Sequence, residues 1–160
     1  MSALKQLTEL EYQTRYEGKT IPEYARHKKK YSDRSANGLT KAIIDWLKLN
    51  GWQAERINVT GRPLDKTQVV QNTLGQKYRI GSIEWLPSTG QKGSADISAT
   101  IRGQSVKIEV KMKDRQSEAQ KEYQRQVEAA GGQYWLVRSF DEFMTLYKEK
   151  TPEGIRGREH

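Results

Sequence analysis

Two runs, Ala95-Asp96-Ile97-Ser98-Ala99-Thr100-Ile101 and Val106-Lys107-Ile108-Glu109-Val110-Lys111-Met112, flank the segment Arg102-Gly103-Gln104-Ser105. Both alternate apolar and polar residues with a period of two, which is the pattern of half-buried strands in an antiparallel hairpin. Gly103-Gln104 suits a two-residue type II′ turn, which takes glycine at its first central position. That turn sets Ser98 opposite Glu109 and Asp96 opposite Lys111. Ile97, Ala99, Ile101, Val106, Ile108 and Val110 then share a buried face. Asp96, Ser98, Thr100, Lys107, Glu109 and Lys111 share the other. In this register Asp96 is one diagonal step from Glu109, about 7–8 Å between Cα atoms. Two carboxylates and an ammonium group converge, a set able to bridge a hard cation and to hold or deprotonate an attacking water. The same residues also fit an ordinary solvated strand face. Placement favours chemistry: Asp96 opens the first strand, Glu109-x-Lys111 sits between apolar residues on the second, and a helix follows.

Downstream, Ala119, Tyr123, Val127 and Ala130 mark a helix over 117–130, stopped by Gly131-Gly132. A short strand is expected over 133–138. Ser139 and Glu142 form a capping box for a last helix through Tyr147. The tail from Thr151 reads as disordered. Upstream, Leu4, Leu7 and Leu10 lie at helical spacing in 3–17, before Gly18. Thr20 and Glu23, around Pro22, predict a second capping box and a helix running into Arg26-His27-Lys28-Lys29-Lys30. This basic run, flanked by Tyr24 and Tyr31, reads either as a phosphate-contacting arm with stacking rings or as a solvated helix end. Leu39, Ile43, Trp46 and Leu47 give an amphipathic helix over 39–50, followed by a strand over 53–59. Residues 61–76 show no clear period and read as a loop or irregular insertion. Another strand spans 77–85, before the breakers Pro87-Ser88-Thr89-Gly90. Helices and strands in this order predict an α/β layer architecture.

Composition narrows the chemistry. The 160 residues suit one domain with an appended arm. Cysteine is absent and there are two histidines, His27 and His160, so thiolate and histidine-built metal sites are excluded or improbable. A metal here needs oxygen ligands, which favours Mg²⁺ or Mn²⁺. With 28 Lys and Arg against 20 Asp and Glu, the net charge is +8 and the pI about 9.6. Such an excess points to polyanionic partners, nucleic acid first, though a merely solvated basic surface has the same composition. No long apolar run or signal-like segment occurs, so a cytoplasmic protein with no membrane span is expected.

Gly93-Ser94-Ala95-Asp96, Ile108-Glu109-Val110-Lys111, Gln120, Gly131-Gly132 and Tyr134-Trp135-Leu136-Val137 together resemble the PD-(D/E)XK nuclease superfamily. The pattern is closest to its VRR-NUC branch, which is similar to Holliday-junction resolvases. The resemblance spans 37–146 and is most specific over 93–143. It implies a restriction-endonuclease-like core, a mixed central sheet flanked by helices, to which the residues before it add a basic helical N-terminal arm. The corresponding divisions are 1–36 for the arm, 37–148 for the nuclease domain and 149–160 for the tail. By the resemblance, Asp96 and Glu109 would bind the metal with the Val110 carbonyl, Lys111 would orient the nucleophile, and Gln120 would sit beside the site. Lys28, Lys29, Lys30, Arg34, Lys113 and Arg115 are the expected nucleic-acid contacts. The family usually carries a glutamate early in its first core helix, where Asn37 stands here, so a weaker or single-metal site is implied. The expected activity is Mg²⁺- or Mn²⁺-dependent hydrolysis of DNA, with branched or junction DNA as a candidate substrate. The alternatives are a non-catalytic nucleic-acid-binding protein of the same fold and a basic interaction protein. Symmetric cutting would call for a homodimer, with Leu4, Leu7 and Leu10 as candidate contacts or as plain core residues.

Overall fold

The computed structural model describes residues 2–57, 62–86 and 90–151. In chain order these form α1 (Ala3–Tyr16), a 3₁₀ turn (Glu23–Ala25), α2 (Ala36–Leu49) and β1 (Gln53–Arg56). Next come β2 (Arg62–Asp65), β3 (Gln68–Gln71), β4 (Lys77–Ile80), β5 (Ile83–Leu86), β6 (Ile97–Ile101) and β7 (Gln104–Val110). The last elements are α3 (Glu118–Ala129), β8 (Gln133–Val137) and α4 (Phe140–Lys150). A four-stranded sheet runs β1-β6-β7-β8, antiparallel except for the parallel pair β7–β8. The chain is thus a mixed α/β protein. One sheet face presents Ile97, Ile101, Val106, Ile108 and Val137 to Leu39, Ile43 and Leu47 of α2 and to Phe140 and Phe143 of α4. Leu7 of α1 is fully buried in this core and Leu4 packs against it, so two of the three N-terminal leucines face inward. The opposite sheet face meets α3, whose Tyr123 ring lies edge-on to Tyr134 on β8 at 6.4 Å.

Helix starts follow their side chains. The Ser35 hydroxyl accepts from the Gly38 N–H, which begins α2 three residues before the apolar stripe. Ser139 caps α4 through the Glu142 N–H, but the expected capping box is only half formed, because the Glu142 carboxylate accepts from the Arg138 N–H at 2.7 Å; α4 extends past Tyr147 to Lys150.

The hairpin forms, with a different turn. Ile97 pairs with Ile108 and Ile101 with Gln104, so the turn residues are Arg102-Gly103, at φ 52° and 78°. Two central residues with positive φ make a type I′ turn, whose twist matches the strands, and this corrects the type II′ turn at Gly103-Gln104. The pairing shifts by two residues, so every side chain keeps its expected face. What changes is who stands opposite whom: Ser98 faces Lys107. One step beyond Ile97, Asp96 comes level with Glu109 rather than diagonal to it.

The helix expected from Thr20 does not form. Pro22 precedes a single 3₁₀ turn with no side-chain cap, and from Arg26 to Asp33 the chain forms no helix or strand. A run of five basic or histidine residues has no apolar stripe to bury, and a short helix without one is marginal. The expectation for 61–76 is corrected too, since β2 and β3 lie there. β2 pairs with β5 and β3 with β4, both antiparallel, and the strand expected over 77–85 is divided at Gly81-Ser82. β1 ends at Arg56; the rest of that expected strand after Ile57, the breakers 87–89 and the tail from 152 lie outside the described residues. Among the described residues no helix is long and apolar enough to cross a membrane.

Candidate active site

The site lies at the end of the sheet where β1 finishes, β6 begins and β7 and β8 finish. Asp96 is held there from two sides. Its carbonyl accepts from the Ile57 N–H at 2.8 Å, and its Oδ2 accepts from the Val110 N–H at 2.8 Å. An extended residue directs its N–H and C=O to the same side of the strand, so the Val110 carbonyl also faces β6. The Lys111 N–H donates the other way, to the Val137 carbonyl at 2.9 Å, which fixes the β7 end against β8.

Glu109 is the centre. Its face was expected to be solvent-accessible, yet the residue is only 2% exposed. Oε1 receives the Gln120 Nε2 at 2.5 Å and lies 3.2 Å from the Lys111 Nζ. Oε2 is buried and has no hydrogen-bond partner. Burial, and then the neighbouring Asp96 charge, push the Glu109 carboxyl above the usual carboxylate range, against the pull of Lys111 and, more weakly, of the nearby Tyr134 hydroxyl. The Tyr134 hydroxyl is likewise buried and makes no hydrogen bond of proper geometry, but it lies close enough to Glu109 to lower that carboxyl's pKa. Its own pKa is raised by burial and then by the Glu109 charge, against a smaller downward pull from the nearby Gln116 side chain. Sequence reasoning placed Tyr134 in a motif but gave it no role. The signal available was its alternation on β8, which sets it on the face of Lys107.

Gln120 is aimed by the end of α3. The Ser117 hydroxyl accepts from the Gln120 N–H at 3.3 Å, while the Gln120 Oε1 accepts from the Ser117 N–H at 3.0 Å, a reciprocal capping box. With Oε1 so engaged, the Nε2 end must face Glu109. Gly93 brings this helix start against the Asp96 loop. A Cβ there would fall 2.4 Å from the Ala119 carbonyl oxygen, and φ is +83°, so glycine alone fits. The capping box was legible as Ser117-x-x-Gln120, though it was not read from the sequence.

The structure brings Asp96, Glu109, Val110, Lys111 and Gln120 together. The other named residues are spread out. Lys28 pairs with Glu9 at 2.8 Å, and Lys29 with Asp45 at 2.6 Å. Tyr31 donates to the same Asp45 at 2.8 Å, so it is a packing partner rather than a free stacking ring. Lys30, Arg34, Lys113 and Arg115 are exposed, the last two on the loop joining β7 to α3. Asn37 sits in the first turn of α2 with its Oδ1 taken by the Arg56 guanidinium at 2.7 Å. Among the described residues no group of three or more carboxylate, histidine or cysteine side chains is placed to hold a metal. The oxygen set at this site is therefore two carboxylates and a main-chain carbonyl. No protein-family model and no curated protein matches the chain.

Proposed function

We propose that this protein is a metal-dependent endonuclease that hydrolyses DNA phosphodiester bonds, on the PD-(D/E)XK plan and nearest its VRR-NUC branch. The order α2-β1-β6-β7-α3-β8 around a mixed sheet is compatible with a restriction-endonuclease-like core. The observation that carries the reading is the buried, unpartnered Oε2 of Glu109 beside Asp96. A buried acceptor left unsatisfied costs about 1–3 kcal/mol, and more when charged, so it fits a site that a cation completes. Asp96 Oδ1, Glu109 Oε2 and the Val110 carbonyl are the oxygens that would hold Mg²⁺ or Mn²⁺, the hard ions this all-oxygen set suits. Such an ion supplies Lewis-acid polarisation of a phosphoryl oxygen and a water acidic enough to attack it.

The chain's own groups do the rest. Lys111, anchored on Glu109, keeps an ammonium at the site to steady the attacking water and offset charge growing on the phosphoryl oxygens. Gln120 fixes the Glu109 carboxylate through Oε1, leaving Oε2 free. With Asn37 bound to Arg56 in place of a third acid, the site favours one metal over two. That same substitution favours the second reading, a nucleic-acid-binding protein without catalysis. The discriminating experiment incubates single-stranded, linear duplex and four-way-junction DNA with EDTA, Mg²⁺ or Mn²⁺. Cleavage should need the metal and be abolished or reduced at least 100-fold in Asp96→Ala, Glu109→Ala and Lys111→Ala. Undiminished cutting by Glu109→Ala, against a mock preparation, ends the nuclease reading.

A further inference from the structure

Residues 62–86, between β1 and β6, form a single long ribbon. Arg62 pairs with Leu86 and Asp65 with Ile83; Gln68 pairs with Ile80 and Gln71 with Lys77, in the same register. The Lys66 N–H donates to the Ser82 carbonyl at 3.1 Å between the two ladders, so they continue one another. Ten residue pairs at strand spacing make an arm about 34 Å long. Its tip is tied down: the Asn72 Oδ1 accepts from the N–H groups of Leu74 (3.0 Å) and Gln76 (2.9 Å), and the Gln71 amide donates to the Gly75 carbonyl at 2.9 Å. This tight turn holds Leu74 82% exposed. Of the nine large hydrophobic side chains exposed among the described residues, seven are in the ribbon. They divide between its faces, Leu64, Tyr78 and Ile80 on one and Val69, Ile83 and Trp85 on the other beside Lys77 and Arg79, with Leu74 at the tip, so both faces offer apolar side chains to a partner.

Charge and position decide which partner. Lys66 is paired with Glu84, and Asp65 is occupied by the N–H and hydroxyl of Thr67, which leaves Arg62, Lys77 and Arg79 as cations with no ion pair among the described residues. Among the described residues on either side of the ribbon, the Ile57 N–H before it bonds to the Asp96 carbonyl after it, at the candidate active site. We infer that the ribbon 62–86 is a duplex-grasping arm that lies along a DNA groove beside the cleavage site. Lys77 and Arg79 contact phosphates, and Leu74 wedges against a base step. The inference rests on the nuclease reading for its ligand. A two-stranded ribbon fits the major groove, and apolar side chains that unstack base steps are a known means of bending duplexes.

The test uses the full chain in EDTA with a duplex carrying 2-aminopurine, an unstacking reporter. Lys77→Ala/Arg79→Ala should lower the slope of log Kd against log salt by about two units, close to 0.9 per phosphate contact. Leu74→Ala should keep that slope but lose the fluorescence rise seen with the wild type. Both variants should still hydrolyse bis(p-nitrophenyl) phosphate with Mn²⁺, which reports the site without the arm. Unchanged slope and unchanged fluorescence overturn the inference while leaving the nuclease reading in place. Ribbon-dependent binding by a chain that cuts no DNA does the reverse. If the variants dissociate a dimer in light scattering and bind DNA as the wild type does, the ribbon is a contact between copies and the inference fails.

Discussion

At the scale of single residues, Glu109 sets the behaviour of the site. Its carboxyl is held above its ordinary value by burial and by Asp96, so its ionised form is disfavoured in the folded state relative to the unfolded one. Such a group penalises folding once the pH rises above the unfolded value, and the penalty is complete above the folded one. Below the unfolded value both states are protonated and the penalty vanishes. The neutral isostere Glu109→Gln should therefore raise the Tm of the metal-free protein at pH 7, with the gain shrinking as the pH falls toward about 4. Mg²⁺ should raise the Tm of the wild type and leave the variant unmoved. Calorimetry across that pH range checks both, and a variant less stable than wild type at pH 7 contradicts this account. Asp96, Glu109 and Lys111 were visible in the sequence because their spacing on two strands is regular, whereas Gln120 came only with the family resemblance. The depth of Glu109 and the proximity of Tyr134 were not visible, because alternation separates two faces without saying that α3 covers the polar one.

Elements show the same division between pattern and outcome. The hairpin faces were legible from period-two alternation, whereas its register depended on whether Arg102 adopts positive φ, which composition does not reveal. The basic run misled for a different reason. Thr20, Pro22 and Glu23 carry a helix-start signature, but Lys28 and Lys29 find partners across the chain in Glu9 and Asp45. Lys29 also stands over the Tyr31 ring at 4.9 Å, and Tyr31 shares Asp45, so this strap is pinned to α2. Lys29→Ala should cost about 1 kcal/mol and lower the Tm by about 2–4 °C, while Lys30→Ala should leave it unchanged. Equal Tm values for the two variants would show that the strap is not held by this cluster. A paired glycine comparison probes the α3 contact. Gly93→Ala and Gly131→Ala both force alanine to φ +83°, costing about 1–2 kcal/mol, but only Gly93 faces backbone within 4 Å. Both should lose stability, and only Gly93→Ala should lose cleavage beyond that, because α3 must move and carry Gln120 off Glu109. Equal activity losses would disconnect the helix position from the site.

At the scale of the whole molecule, three helices begin at one end of the sheet. α2 starts beside Arg56, α3 through Gln120 on Glu109, and α4 directly after β8. Their N-termini add partial positive charge where an anionic backbone would lie, and each such end favours an anion by about 0.3–1 kcal/mol. The +8 net charge is not spread evenly in its availability. Lys28 and Lys29 are neutralised by internal partners, whereas Lys113 and Arg115 are exposed beside the site with no ion pair among the described residues. The sequence could count these cations alike; only the fold separates the engaged from the free. Lys113→Ala/Arg115→Ala should accordingly weaken DNA binding and lower the log-log salt slope by about two units. Cleavage at saturating DNA should remain close to wild type, since neither side chain touches Asp96, Glu109 or Lys111. Lys28→Ala/Lys29→Ala should leave the slope nearly unchanged and show its effect in Tm instead. Filter binding from 50 to 300 mM salt, run beside thermal melts of both double variants, separates the two pairs. A slope that drops for Lys28 and Lys29 but not for Lys113 and Arg115 would move the DNA path off this end of the sheet and onto the strap.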